Sequence, residues 1–197
     1  MKIIYYIIFF FWYLLSLLPL SVLYVFSDLL YFPIYYCVRY RRRIVRKNLT
    51  ESFPELSKEK IIRIEKQYYH FFCDYIIETL KLFSISKKQL KRRMTFGGVE
   101  EIVKKMETEE KNFCFVYLGH YCNWEWIASL PYWIPDDILC GQIYHPLYNR
   151  AFNKLFLRLR NQFGGECISM KETLRRIIEL RRAKQKTIIG FISDQTP

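Results

Sequence analysis

The sequence predicts an α/β fold with a largely parallel sheet, preceded by a membrane-anchor helix. Three observations predict it. From residue 112 onward, short apolar runs of strand character alternate with segments of helical period. Residues Ile3 to Ser27 are 25 consecutive positions without a charge. Directly behind them stands "RYRRRIVRK", residues 39 to 47, with six basic residues and no acid.

The uncharged run comes first. At about 1.5 Å per residue, a helix of that length crosses a hydrocarbon core of about 30 Å with some tilt. Pro19 is a candidate kink, and Asp28 ends the run. A cleaved signal peptide is the competing reading, but the apolar part is too long and no small-residue cleavage site is obvious. The basic run then places its own side in the cytoplasm and in contact with anionic headgroups. A nucleic-acid patch is the alternative use of those charges, and attachment to an anchor argues against it. Half of the 197 residues are apolar (51%), which excludes wholesale disorder. The net charge of +12 points to acidic partners.

Ser57 is placed to cap a long helix from Lys58 to about Phe83, with Ile61, Ile64, Tyr68, Phe72 and Ile76 on one face. Asp74 and Glu78 lie one turn apart beside Lys81, which reads as a surface ion pair. "SKKQLKRR" (86 to 93) is a basic connector, Gly97 and Gly98 mark a turn, and a short helix with Ile102, Val103 and Met106 follows. "NFCFVYL" (112 to 118) then reads as a buried strand and "NWEWIASL" (123 to 130) as a helix ended by Pro131. A second strand spans 138 to 144, a helix 149 to 160, a third strand 166 to 169, a basic helix 171 to 184 and a fourth strand 187 to 193. The regions are therefore 1–38 (anchor), 39–96 (basic, helical, membrane-proximal) and 97–197 (α/β domain). The last region looks unfinished, because the chain stops directly behind a strand; a C-terminally truncated protein is expected.

In open parallel sheets, ligands bind beyond the carboxyl ends of the strands. His120 follows the first strand, His145 the second and Asp194 the fourth. His120 is the leading candidate for chemistry, because neutral imidazole accepts a proton near neutral pH. Glu125 cannot share a helical face with it, since five residues rotate by about 140°. The two meet only if His120 is in the loop and Glu125 in the first helical turn, with Asn123 as cap. Glu125 would then fix the tautomer of His120. Gly119 supplies the sharp turn out of the strand. Asp194 would bind an acceptor or cap the next element. Cys122 beside His120 raises a thiol nucleophile or a metal, but no second Cys/His pair at ligand spacing supports zinc. The six cysteines are scattered and read as small buried residues in a reducing compartment.

"GHYCNWE" is an H-x4-E element at the end of a strand, behind an anchor and a basic patch. It resembles the lysophospholipid acyltransferase superfamily and, within it, the bacterial lipid A biosynthesis acyltransferases. "NLTESFPELS" (48 to 57), "DYIIETLKL" (74 to 82), "IYHPLYNRAFN" (143 to 153), "RLRNQFGG" (158 to 165) and "GFISDQTP" (190 to 197) resemble further blocks of that family. The resemblance implies a glycerolipid acyltransferase-like fold and transfer of a fatty acyl chain from an acyl carrier protein thioester to a hydroxyl of a phosphorylated lipid A precursor. It implies His120 as general base and Glu125 as its orienting partner. Arg160, Arg158, His145, Asn149 and Asp194 are the positions expected to meet substrate, Arg160 foremost, because a guanidinium suits phosphate. Neither cofactor nor metal is implied, and nucleic acid is not expected as a partner. The implied location is the bacterial inner membrane, with catalysis on the cytoplasmic side. His145 departs from the arginine found in many relatives, and relatives run on past the Asp-Gln pair. The alternatives are a glycerophospholipid acyltransferase, disfavoured by Glu125 in place of Asp, and a catalytically silent, membrane-bound fragment that binds lipid or nucleic acid.

Overall fold

The computed structural model describes residues 2–194, and Gln195, Thr196 and Pro197 of the last block lie outside them. The chain divides into two compact units: Trp12–Ser84, and Ile85–Pro197 together with Met1–Phe11.

The expected single anchor is two helices, α1 (Lys2–Ser16) and α2 (Leu20–Phe32), with a π-helical continuation over Pro33–Val38. Pro19 is the reason. It lacks an N–H, and it stands at the cap of α2 with an extended ψ of 146°. Two carbonyls at the break need donors, and Lys81 supplies them. Its Nζ donates to Ser16 O at 2.7 Å and to Leu18 O at 3.0 Å, and Ser84 Oγ also donates to Ser16 O. A cation at a helix carboxyl end is favourable. Among the described residues, the stretch long and apolar enough to cross a membrane is therefore Leu20–Val38, not Ile3–Ser27.

Helix α3 (Arg42–Ser52) carries much of the basic run, and α4 (Lys58–Lys81) begins at Ser57, whose side chain accepts from Lys60 N. Leu20 and Leu23 of α2 pack on Ile77 and Leu80 of α4. The expected surface ion pair does not form. Lys81 is only 5% exposed, Asp74 accepts from Ser27 Oγ at 2.6 Å and Glu78 from Tyr24 OH at 2.8 Å. The three side chains tie α4 to α1 and α2 instead. Burial lowers the basicity of Lys81 below the usual lysine range.

The second unit holds α5 (Lys87–Lys91), α6 (Val99–Thr108), β1 (Phe113–Leu118), β2 (Leu139–Tyr144), α7 (Arg150–Asn161), β3 (Glu166–Ser169), α8 (Thr173–Arg182) and β4 (Thr187–Ile192). All pairings are parallel, in the order β1-β4-β2-β3. This is the α/β architecture that the alternation predicts. Gly98 opens α6 at φ 76°. Val99 and Met106 of α6 cover one sheet face with Ile134, Ile138, Cys140 and Ile188. The β1 strand is not fully buried as expected: it lies at the end of the described sheet, and Phe115 and Tyr117 are exposed on one face. Between β1 and β2 the chain forms a 3₁₀ helix, Trp124–Trp133, which passes through Pro131 rather than ending there.

Candidate active site

Parallel pairing fixes the site. Ser193 N donates to Leu118 O at 3.0 Å, which extends the β1–β4 ladder past both strand ends. Just past these ends, His120 and Asp194 meet. His120 N donates to Asp194 Oδ2 at 2.7 Å, and His120 Nδ1 lies 2.7 Å from Asp194 Oδ1. These hydrogen bonds, the backbone one foremost, hold the Asp194 carboxyl below its ordinary range. An ionised carboxylate only accepts, so Nδ1 carries the ring proton and Nε2 presents its lone pair. Trp124 stands edge-on to the imidazole at 4.8 Å between centroids. The side chains of His120 and Asp194 are 30% and 40% exposed, so a substrate can reach them.

The turn that aims His120 is not made by a left-handed glycine. Tyr121 N donates to Gly119 O at 2.8 Å, and the left-handed residue is Cys122, at φ 50°. Gly119 has a negative or extended φ, and a Cβ there would meet Asp194 Oδ2 at 3.4 Å.

Glu125 sits in the first turn of the 3₁₀ helix, as its spacing suggested, but it faces another residue. Arg160, in the last turn of α7, donates Nε to Glu125 Oε2 at 2.8 Å and Nη2 to Oε1 at 2.7 Å. The Glu125 side chain is 3% exposed. This two-pronged pair braces the 3₁₀ helix against α7. The acid on His120 is thus Asp194 rather than Glu125. Local spacing suggests Glu125, five residues away, but Asp194 arrives through strand order. A reading that puts the last strand beside the first would have found it.

The other expected residues have partners of their own. Arg158 lies over the Phe9 ring at 4.0 Å. His145, at the end of β2, has Nδ1 3.0 Å from Pro146 O. Asn149 caps α7, accepting from Ala151 N and Phe152 N. Among the described residues no three His, Cys, Asp or Glu side chains are grouped to hold a metal ion. Burial pushes the Cys140 thiol up to about 12 and that of Cys167 to about 11, which makes both inert.

The family model for bacterial lipid A biosynthesis acyltransferases matches residues 1–196. The chain belongs to this family. Membership assigns the chain to general acyl-transfer chemistry and agrees with the α/β sheet and, among the described residues, the one candidate membrane helix near the N-terminus. No curated protein matches the chain.

Proposed function

We propose that the protein transfers a fatty acyl chain from an acyl carrier protein thioester to a hydroxyl of a phosphorylated lipid A precursor, at the cytoplasmic face of the bacterial inner membrane. The observation that carries the reading is the His120–Asp194 pair at the carboxyl edge of a parallel sheet, in a chain of this family. Nε2 of His120 takes the proton of the acceptor hydroxyl. The oxygen attacks the thioester carbonyl, forming a C–O bond, and the C–S bond breaks. The imidazolium returns its proton to the leaving thiolate, so the enzyme ends neutral and unmodified. Asp194 keeps the ring in the tautomer that leaves Nε2 open and stabilises the imidazolium. Glu125 and Arg160 act as positioning residues, holding the segment behind the His120 turn.

The test is acyl transfer by membranes carrying the full chain, with an acyl carrier protein thioester and a lipid A precursor. His120→Ala is expected to lose about 10² to 10⁴ in rate with its fold intact by circular dichroism. Equal turnover by that variant removes His120 from catalysis. Turnover with lysophosphatidic acid but not with the lipid A precursor moves the reading to glycerophospholipids.

A further inference from the structure

Among the described residues, one stretch is long and apolar enough to cross a membrane: Leu20–Val38, 19 residues or about 28 Å of helix. It is tied to α4 along most of that length by polar rungs. Tyr24 OH donates to Glu78 Oε1 at 2.8 Å, Ser27 Oγ to Asp74 Oδ1 at 2.6 Å and Tyr35 OH to Glu65 Oε1 at 2.9 Å. Between the last two, the Tyr31 ring stacks on His70 at 3.7 Å between centroids, and Asp28 Oδ1 lies 3.9 Å from His70 Nδ1. Each rung further along α2 meets α4 about one turn nearer its amino end, so the two helices are antiparallel.

A crossing α2 would take Glu65, Lys66, His70, Asp74 and Glu78 of α4 to membrane depth. Ionisable side chains there are rare and turn away from lipid. Asp28, near the middle of the stretch, is 76% exposed, its neighbour His70 is 50% exposed, and Lys66 is exposed as well. The antiparallel α4 would also return the chain to the side where α2 begins. The two basic runs, 39–47 and 86–93, would then lie on opposite sides, although such runs stay on the cytoplasmic one. The far face of α2 has another character. Val22, Val25, Phe26, Leu29 and Phe32 are exposed. At about 100° per residue they make one stripe, roughly half a turn around the helix from Tyr24, Ser27, Tyr31 and Tyr35. Arg39, Arg41 and Arg43, all exposed, follow the end of that stripe. Apolar side chains leading into unpaired-looking arginines suit hydrocarbon bordered by anionic headgroups.

We infer that Leu20–Val38 does not cross the membrane: α2 lies in the plane of one leaflet, with the stripe from Val22 to Phe32 in the acyl chains and the polar seam with α4 on the water side. Both basic runs then stay on one side. The inference rests on the proposed membrane location and is independent of the acyl-transfer reaction.

The test is a depth measurement on the full chain in vesicles of phosphatidylethanolamine and phosphatidylglycerol. A fluorescent amino acid replaces Val25, Leu29, Phe32 or Tyr36 in turn, all exposed positions, so the fold is expected to hold. The lipids carry a nitroxide quencher either near the headgroup or near the chain end. Lying in the plane, the four labels sit at one depth, within about 5–10 Å of the headgroup boundary. All four should be quenched alike, within about twofold, and more by the shallow nitroxide than by the deep one. A label replacing Lys66 on α4 should be quenched by neither. In a crossing helix, Leu29 and Tyr36 differ in depth by about 10 Å. Leu29 quenched most by the deep nitroxide and Tyr36 by the shallow one therefore overturns the inference, as does deep quenching at Lys66. Labels on the stripe that neither lipid quenches, yet aqueous iodide cannot reach, mark a protein surface there and overturn it too. A chain that gives the in-plane pattern but transfers no acyl group keeps this topology and removes the proposed reaction.

Discussion

Two carboxylates of this molecule, Glu65 in the helical unit and Asp194 in the α/β unit, are both held by hydrogen bonds, yet they are built for opposite ends. Glu65 is fully buried. It accepts from Tyr35 OH at 2.9 Å, Arg42 Nε at 2.9 Å and Arg46 at 2.6 and 2.9 Å. Three of these bonds fall on Oε1 and one on Oε2, and the charge is covered. Asp194 accepts from His120 by backbone and ring, and both side chains stay partly open. Burial beneath four hydrogen bonds marks the first as a tie within the fold. The second ring nitrogen of His120, beside the partly open carboxylate, marks a place where a proton can be taken up.

The largest expected difference comes from exchanging carboxylate for amide at each position. Asp194→Asn keeps the shape but puts an amide NH₂ within reach of Nδ1, which favours the wrong tautomer. Acyl transfer should fall by up to about 10⁴, as carboxylate-to-amide exchange does in other histidine sites. The thermal unfolding midpoint should hardly move. An Asp194→Asn variant with parental turnover would break the comparison outright.

Glu65→Gln should invert the pattern. Two guanidinium groups lose a buried counter-charge, and breaking such a pair costs about 3–5 kcal/mol. Urea unfolding measures it, and the folded fraction should retain parental specific activity. The pH dependence has a definite sign. Burial raises the Glu65 carboxyl, but the hydrogen bonds from Arg46, Tyr35 and Arg42 outweigh it and the net shift is downward. A depressed folded value adds stability above the unfolded value of about 4.3 and loses it as pH falls through the folded one. The variant should therefore lose less stability than the parent on acidification below about pH 4. A parent and variant with parallel acid limbs would mean that Glu65 is not the ionised, paired group.

How much of this was legible in the sequence follows the same divide. All four strands and Ser57 as cap of α4 follow from local pattern, and the structure has them. Local pattern also put His120 and Asp194 at one sheet edge. It did not pair them, because they are 74 residues apart and only strand order brings them together. Glu125 drew the assignment by being near in sequence. The helical unit misled for a related reason. Asp74, Glu78 and Lys81 look like surface charges along α4, and only the Pro19 break in the preceding apolar run creates the carbonyls that Lys81 serves. Residues whose partners are local were readable; those whose partners are set by packing were not.

The smallest expected effect is at Gly119, and it sharpens the contrast in crowding. Glu65 is fully buried among its donors. Beside Asp194 there is room for one more atom. Gly119 does not have the positive φ that would make a side chain strained, and an added Cβ would sit 3.4 Å from Asp194 Oδ2, an ordinary contact. Gly119→Ala should therefore change stability by no more than about 0.5 kcal/mol. Acyl transfer should stay within about threefold of the parent, since the methyl leaves both hydrogen bonds to His120 in place. A thermal melt and a single rate measurement suffice. A large loss of rate with an unchanged melt would mean that substrate itself occupies the space over Gly119, making the strand-end glycine part of the binding surface rather than a spacer for Asp194.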